Sequence, residues 1–216
     1  SLSPSERFDQ GLQRARDAAV ASPPPPPPPK PVTLLMTYPG LTLLHPNPRI
    51  CVIENFLDNA ECMALIQCAE PFVKASGMAF GGSEAAQNIR TSSTVLLRRS
   101  RTEVKPLHSR VGRLLGKPIE HCEDPQVSRY RRGEFYKAHF DGPGLEEPTS
   151  RPFLICGGQR VATVLVYLND VESGGATGFP LLNLEVRPKR GRALVFFPVR
   201  SHHARSMAVH RQLVRV

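Results

Sequence analysis

Beyond Gln126 the chain is built of short apolar runs cut apart by glycine and proline, a rhythm that admits few folds. The runs cover residues 126–131, 135–140, 161–168, 175–179, 192–197 and 212–216. Gly133, Gly142-Pro143-Gly144, Gly174-Gly175, Pro180, Pro188 and Gly191 punctuate them. Segments of that length are too short for helices and read as strands bounded by turns. Upstream, residues 49–54 and 91–97 read as two further strands. Asp58 predicts the N-cap of a helix whose buried face carries Cys62, Leu65, Ile66, Ala69, Phe72 and Val73. Val104, Leu107, Val111 and Leu114 predict a second amphipathic helix, stopped by Gly116 and Pro118. Two helices followed by many short strands imply an α+β fold, with a β-sandwich or jelly roll carrying any site.

At 216 residues the chain is long enough for one domain with a sizeable core plus appendages. Residues 1–32 read as a polar lead and a linker, because Pro23 to Pro29 are seven consecutive prolines and must run as an extended polyproline II spacer. That spacer also has the character of a docking segment for a proline-reading domain, or of a substrate-like strand. The globular part, 33–216, starts near Thr33. A net charge of +9 invites a nucleic-acid reading. The basic residues are scattered except beyond Arg187, and the chain has no Trp and few aromatics on which bases could stack. No nucleic-acid partner is expected. The five cysteines show neither CxxC nor zinc spacing, and their odd count and wide scatter favour buried thiols. No apolar run approaches the length of a membrane span.

The chemistry concentrates at His139-Phe140-Asp141 and, about sixty residues on, His202-His203. Two histidines and a carboxylate are the facial ligand set of non-haem Fe(II) oxygenases, which leaves open positions on the ion. On a strand, residues i and i+2 face the same side, so His139 and Asp141 are expected to reach one metal while Phe140 points away. An HxD pair on its own is equally a polar strand end; the surrounding sequence decides.

Tyr130-Arg-Arg-Gly133-Glu-Phe-Tyr136-Lys-Ala-His139-Phe-Asp141 resembles the YxxGxxYxxHxD segment of the prolyl 4-hydroxylases. Residues 160–180, from Arg160 through Tyr167 and Gly174-Gly175 to Pro180, resemble that family's next block, and Arg187 to Phe197 its strand before the distal histidine. The resemblance runs from about Asn47 to the end, Arg90-Thr-Ser-Ser included. It implies a double-stranded β-helix (jelly roll) buttressed by the N-terminal helices, with an oxygenase core at about 122–216. It implies hydroxylation of peptidyl proline at C4, using Fe(II), O₂ and 2-oxoglutarate, with ascorbate as reductant. The metal ligands would be His139, Asp141 and either His202 or His203. Tyr130, Tyr167 and Arg211 would line the co-substrate site, and Arg160 the peptide mouth. A buried carboxylate needs a cation, and arginine offers a bidentate one, so Arg211, nine residues after His202, also makes physical sense there. Each has an ordinary alternative: Arg211 a surface arginine, Tyr167 a core tyrosine with its hydroxyl satisfied, Arg160 a rim charge. Gly174-Gly175 reads as a tight turn and Tyr136 as a packing residue.

The resemblance is loosest at the C-terminus. The loop before His202 is only Pro198 to Ser201, no Trp follows, and the chain stops at Val216 where the family's strand continues. Two rivals follow: a 2-oxoglutarate oxygenase acting on lysyl or small-molecule substrates, and a non-catalytic module that binds proline-rich peptide with a degraded site. The resemblance further implies a proline-rich peptide partner and the lumen of the endoplasmic reticulum or another secretory compartment. Oligomeric state is not legible.

Overall fold

The first hairpin pairs β1 (Leu41–Pro46) with β2 (Arg49–Ile53), in a computed structural model that describes residues 32–75, 90–139, 141, 160–197 and, as backbone, 211–213. β2 reads Arg-Ile-Cys-Val-Ile and is buried at every position after Arg49, as a β-branched run at the centre of a sheet should be. β1 was not anticipated: it is an edge strand with a register shift between Leu43 and His45, and most of its side chains face outward. No burial alternation marks it in sequence.

Helix α1 (Asn59–Ala69) begins at Asp58, as its sequence predicts. Asp58 Oδ1 accepts from the Glu61 amide at 2.8 Å, and Glu61 Oε2 accepts from the Asp58 amide at 2.9 Å, a closed capping box. Cys62, Leu65 and Ala69 are buried, but Phe72 is not part of that face. Pro71 lies in a 3₁₀ turn over Glu70–Phe72, which throws Phe72 outward; it is 51% exposed, with Arg101 5.6 Å from its ring centroid. The short β3 (Lys74–Ala75) and β4 (Ser93–Leu96) come next. Helix α2 (Lys105–Leu115) then closes on Gly116, which takes the left-handed conformation (φ 58°) that a C-terminal glycine provides.

Among the described residues seven more strands follow: β5 (Gln126–Arg129), β6 (Phe135–Tyr136), β7 (Thr163–Val166), β8 (Ala176–Phe179), β9 (Leu184–Val186), β10 (Ala193–Phe196) and β11 (Arg211–Leu213). They are shorter than their apolar runs, and β9 escaped notice because three residues carry no measurable period. The described strands form three antiparallel sheets, in the orders β1-β2-β10-β7, β6-β11-β8-β9 and β3-β4-β5.

The pleat of the first sheet divides the core in two. Ala193 pairs with Ile53 and Val195 with Cys51 on the face that packs against Cys62, Leu65 and Leu114 of the helices. Leu194 pairs with Val52 and Phe196 with Ile50 on the opposite face, where they meet Phe179 and Val186 of the second sheet. Helices therefore cover one side of this sheet and a second sheet covers the other. Gly191, at the turn into β10, locks the arrangement: its carbonyl accepts from the amides of Phe56 (2.7 Å) and Leu57 (3.2 Å). A Cβ at that glycine would lie 2.2 Å from the Leu57 carbonyl oxygen. The described helices and strands match an α+β fold, and no helix among them is long and apolar enough to cross a membrane.

Candidate metal centre

Along β7 and into Tyr167 just past its end, Thr163, Leu165 and Tyr167 alternate with Val164 and Val166, and the two sets face opposite sides of the sheet. Leu165 and Tyr167 belong to the core between the two four-stranded sheets, while Val164 and Val166 face the helices. Thr163 therefore stands at the start of the inner face, and its hydroxyl donates to Oδ2 of Asp141. The other carboxylate oxygen, Oδ1, accepts from Nη1 of Arg160 at 3.1 Å, and the same nitrogen donates to the Asp141 carbonyl at 2.6 Å. Arg160 is itself clamped by Glu123, from Nε to Oε1 and from Nη2 to Oε2, each at 2.8 Å. This bidentate pair raises the Arg160 pKa above its ordinary value.

His139 joins this group by a route that differs from the sequence expectation. β6 ends at Tyr136, so His139 and Asp141 are not strand neighbours sharing a face. The chain bends after Tyr136, and the bend brings Nε2 of His139 within 3.9 Å of Asp141 Oδ1, with only 19% and 17% of the two side chains exposed. Nδ1 of His139 lies 2.9 Å from the carbonyl oxygen of Lys137. A carbonyl can only accept, so Nδ1 carries the proton and Nε2 presents its lone pair. Burial depresses the His139 pKa; the Lys137 carbonyl and Asp141 oppose this, while Arg90 and Arg160 reinforce it. A neutral imidazole with its far nitrogen pinned, beside a hydrogen-bonded carboxylate, is the donor chemistry that a divalent ion requires. Fe(II) fits these two residues.

The remaining residues fall into place unevenly. Tyr130 is buried against Arg90 and Ser92; burial raises its pKa and those two hydrogen-bonding partners oppose the rise. Tyr167 lies deep between the sheets, its hydroxyl 2.8 Å from Thr177 Oγ1 and 3.1 Å from the Val186 carbonyl oxygen, and burial pushes its pKa up to about 12. Its hydroxyl is hydrogen-bonded within the protein. His202 and His203 lie outside the described residues, and no cluster of three metal-ligating side chains occurs among those described. Of Arg211 the backbone is described: it opposes Gly178 of β8, and β11 pairs on its other edge with β6, the strand that leads to His139. Thr163 and Glu123 were missed from sequence. Thr163 was within reach, since it stands four residues before Tyr167 on the same strand face; Glu123, far from Arg160 in sequence, carries no such signal. A cavity of about 340 Å³ lined by Tyr38, Gly40, Glu54, Phe56, Arg110 and Arg113 contains none of these residues.

A family model described as the 2OG-Fe(II) oxygenase superfamily matches residues 125–216. The chain is 36% identical to Arabidopsis thaliana prolyl 4-hydroxylase 5 over 176 residues, covering 71% of this chain and 58% of that one. The chain belongs to the prolyl 4-hydroxylase family. Among human members, the alpha-3 subunit of prolyl 4-hydroxylase is 31% identical over 158 residues, 72% of this chain but 29% of that subunit. The viral collagen prolyl hydroxylase of Paramecium bursaria Chlorella virus 1, solved as a 2OG complex, superposes with a TM-score of 0.55 at 26% identity, covering 76% of this chain and 87% of that one. Like that protein, this member of the family carries the 2-oxoglutarate oxygenase fold. It spans about three fifths of the length of its viral and plant curated relatives.

Proposed function

We propose that this chain is an Fe(II)- and 2-oxoglutarate-dependent dioxygenase that hydroxylates peptidyl proline at C4. The observation that carries the reading is the convergence of His139 Nε2 and Asp141 Oδ1, 3.9 Å apart, in a member of this family. The third ligand would be His202 or His203. The two four-stranded sheets, facing each other across Val52, Leu194, Phe196, Phe179 and Val186, would be the halves of a double-stranded β-helix. The catalytic domain would run over 33–216, preceded by the proline linker.

When bound, Fe(II) with O₂ and 2-oxoglutarate supplies the oxidant for C–H hydroxylation, with release of succinate and CO₂ and ascorbate as reductant. The protein's share is binding, orientation and exclusion of water. The Lys137 carbonyl holds the proton of His139 on Nδ1, keeping Nε2 as the ligand atom. Thr163 and Arg160 hold the two carboxylate oxygens of Asp141, so its orientation does not depend on the ion. Leu165, Leu194 and Phe196 wall the inner side and keep it dry. Arg211 would pair with the far carboxylate of 2-oxoglutarate beside Tyr130 and Tyr167. Arg160, whose Nη2 keeps one N–H beyond its bond to Glu123, would meet a carbonyl of a proline-rich peptide. Such a peptide is already extended and gives up little entropy on binding. By family we assign it to a secretory-pathway lumen.

The test is succinate release with Fe(II), 2-oxoglutarate and a proline-rich peptide, alongside mass spectrometry of the peptide for one added oxygen. His139→Ala and Asp141→Ala should each abolish both signals while the circular dichroism spectrum is retained. Turnover surviving in both variants sinks the ligand assignment. Succinate release independent of peptide points to another substrate, and peptide binding without metal or succinate points to a binding module.

A further inference from the structure

We infer that Tyr136, backed by Arg90, is a positioning residue that fixes the plane of the His139 imidazole for metal binding, an inference that rests on the iron reading above. The Tyr136 and His139 rings are stacked, their centroids 3.7 Å apart and their planes inclined by 16°. The guanidinium carbon of Arg90 lies 4.6 Å from the centroid of the same Tyr136 ring. Cation, phenol and imidazole thus form one continuous stack ending at the ligand.

The stack is written into the backbone. Arg90 and Tyr136 form an antiparallel bridge, flanked by the Thr91 amide donating to the Phe135 carbonyl at 3.0 Å. The Phe135 amide returns a bond to Thr91 Oγ1 at 2.8 Å. The Arg90 side chain is tied in turn, from Nε to Ser92 Oγ at 2.7 Å and from Nη2 to Ser128 Oγ at 2.8 Å, with both Nη atoms 3.3 Å from Gln126 Oε1. A guanidinium fastened at this many points is a fixed wall, and attraction between its charge and the ring face holds Tyr136 against it.

Such a wall has a purpose because of where β6 stops. His139 follows the end of that strand by three residues, outside any strand pairing among the described residues. The Lys137 carbonyl decides which nitrogen keeps the proton, and the stack acts on a different property, the plane of the ring. A flat aromatic surface at 3.7 Å fixes the ring plane with Nε2 toward Asp141. The stack supplies the constraint that a longer strand would otherwise have given.

The experiment uses Tyr136→Phe, which keeps the ring face, and Tyr136→Leu, which removes it. Anaerobic titration of the full chain with Mn(II) alone, followed by electron paramagnetic resonance, reads metal affinity without turnover. Wild type and Tyr136→Phe should bind alike, and Tyr136→Leu about 10- to 100-fold more weakly, the usual cost of removing a group that orients a ligand. The His139 ring protons, shifted upfield by the Tyr136 ring current in the first two proteins, should move to ordinary positions in the third. Should Tyr136→Leu lose its circular dichroism spectrum, Tyr136→Met carries the same comparison. Mn(II) held equally well by the folded Leu or Met variant overturns the positioning role and leaves the ligand assignment standing. Equal weakening in Tyr136→Phe also overturns it, since the hydroxyl rather than the face would then matter. A wild-type chain that binds no metal overturns the ligand assignment itself.

Discussion

At the scale of single residues, the site is a matter of which atoms hold Asp141 still. A carboxylate gripped on one oxygen by Thr163 and on the other by Arg160 keeps its orientation with or without an ion, as the proposed ligand role of Asp141 requires. Removing the threonine hydroxyl without changing its shape is therefore informative. Thr163→Val should lower metal affinity by about 10- to 100-fold with little change in thermal midpoint. Titration with Mn(II) alongside a melting curve checks both halves, and an unchanged affinity would demote Thr163 to packing. Thr163 shows how far the sequence could be read, because alternation from Tyr167 points to it. Glu123 had no such signal, since it reaches Arg160 across 37 residues of chain through a tertiary contact.

At the scale of elements, local chemistry sets the ends and tertiary contact sets the fit. The Asp58 N-cap was legible because capping depends on residues within one turn, and the structure adds Glu61 as the other half of a capping box. Asp58→Ala should cost about 1 kcal/mol, read as a shift in the urea midpoint with the slope unchanged. Gly191 is different in kind. At φ 75°, and with a Cβ position 2.2 Å from the Leu57 carbonyl oxygen, it lets the turn before β10 seat against the segment that leads into α1. Gly191→Ala should cost about 1–2 kcal/mol from the left-handed backbone alone, before the clash is counted. A variant as stable as the wild type would show that the turn can move aside. Phe72 makes the complementary point, since it had the helical spacing of a buried residue and Pro71 redirected it to solvent.

For the molecule as a whole, α2 holds a buried pH-sensitive residue beside the segment that carries Glu123. His108, on α2, is buried, and its Nδ1 has no hydrogen-bonding partner. Burial lowers its pKa; the Glu123 carbonyl and Asp124 oppose that, and Arg99 adds to it. The sign follows from linkage. The unfolded chain takes up a proton at this residue below roughly pH 6.5, where the folded chain still resists it. The contribution is complete above that pH and is lost as pH falls toward the folded value. Stability should therefore decline on acidification, and His108→Gln, neutral throughout, should flatten that part of the profile in denaturant melts taken at a series of pH values. An identical slope in the variant would assign the acid sensitivity elsewhere. Glu54 contributes in the same direction: burial opposes its ionisation, but hydrogen bonds from Lys189 and Arg192 outweigh it and hold the carboxyl below its ordinary range.

The amino-acid order alone determined the class of fold, both helices with their caps, the inner faces of the longer strands and the HxD pair, because each rests on interactions within a few residues. It also carried the family resemblance, which is a property of residue types in register. Only the tertiary structure decided that His139 and Asp141 meet through a bend, that Thr163, Arg160 and Glu123 hold the carboxylate, and that Arg90 reaches His139 through Tyr136. Those contacts join residues that are distant in sequence or turned by backbone geometry, and periodicity has no access to either. The proximity of β11 to β6 belongs to the same class, since strand pairing across 75 residues follows from how two sheets pack rather than from the composition of either strand.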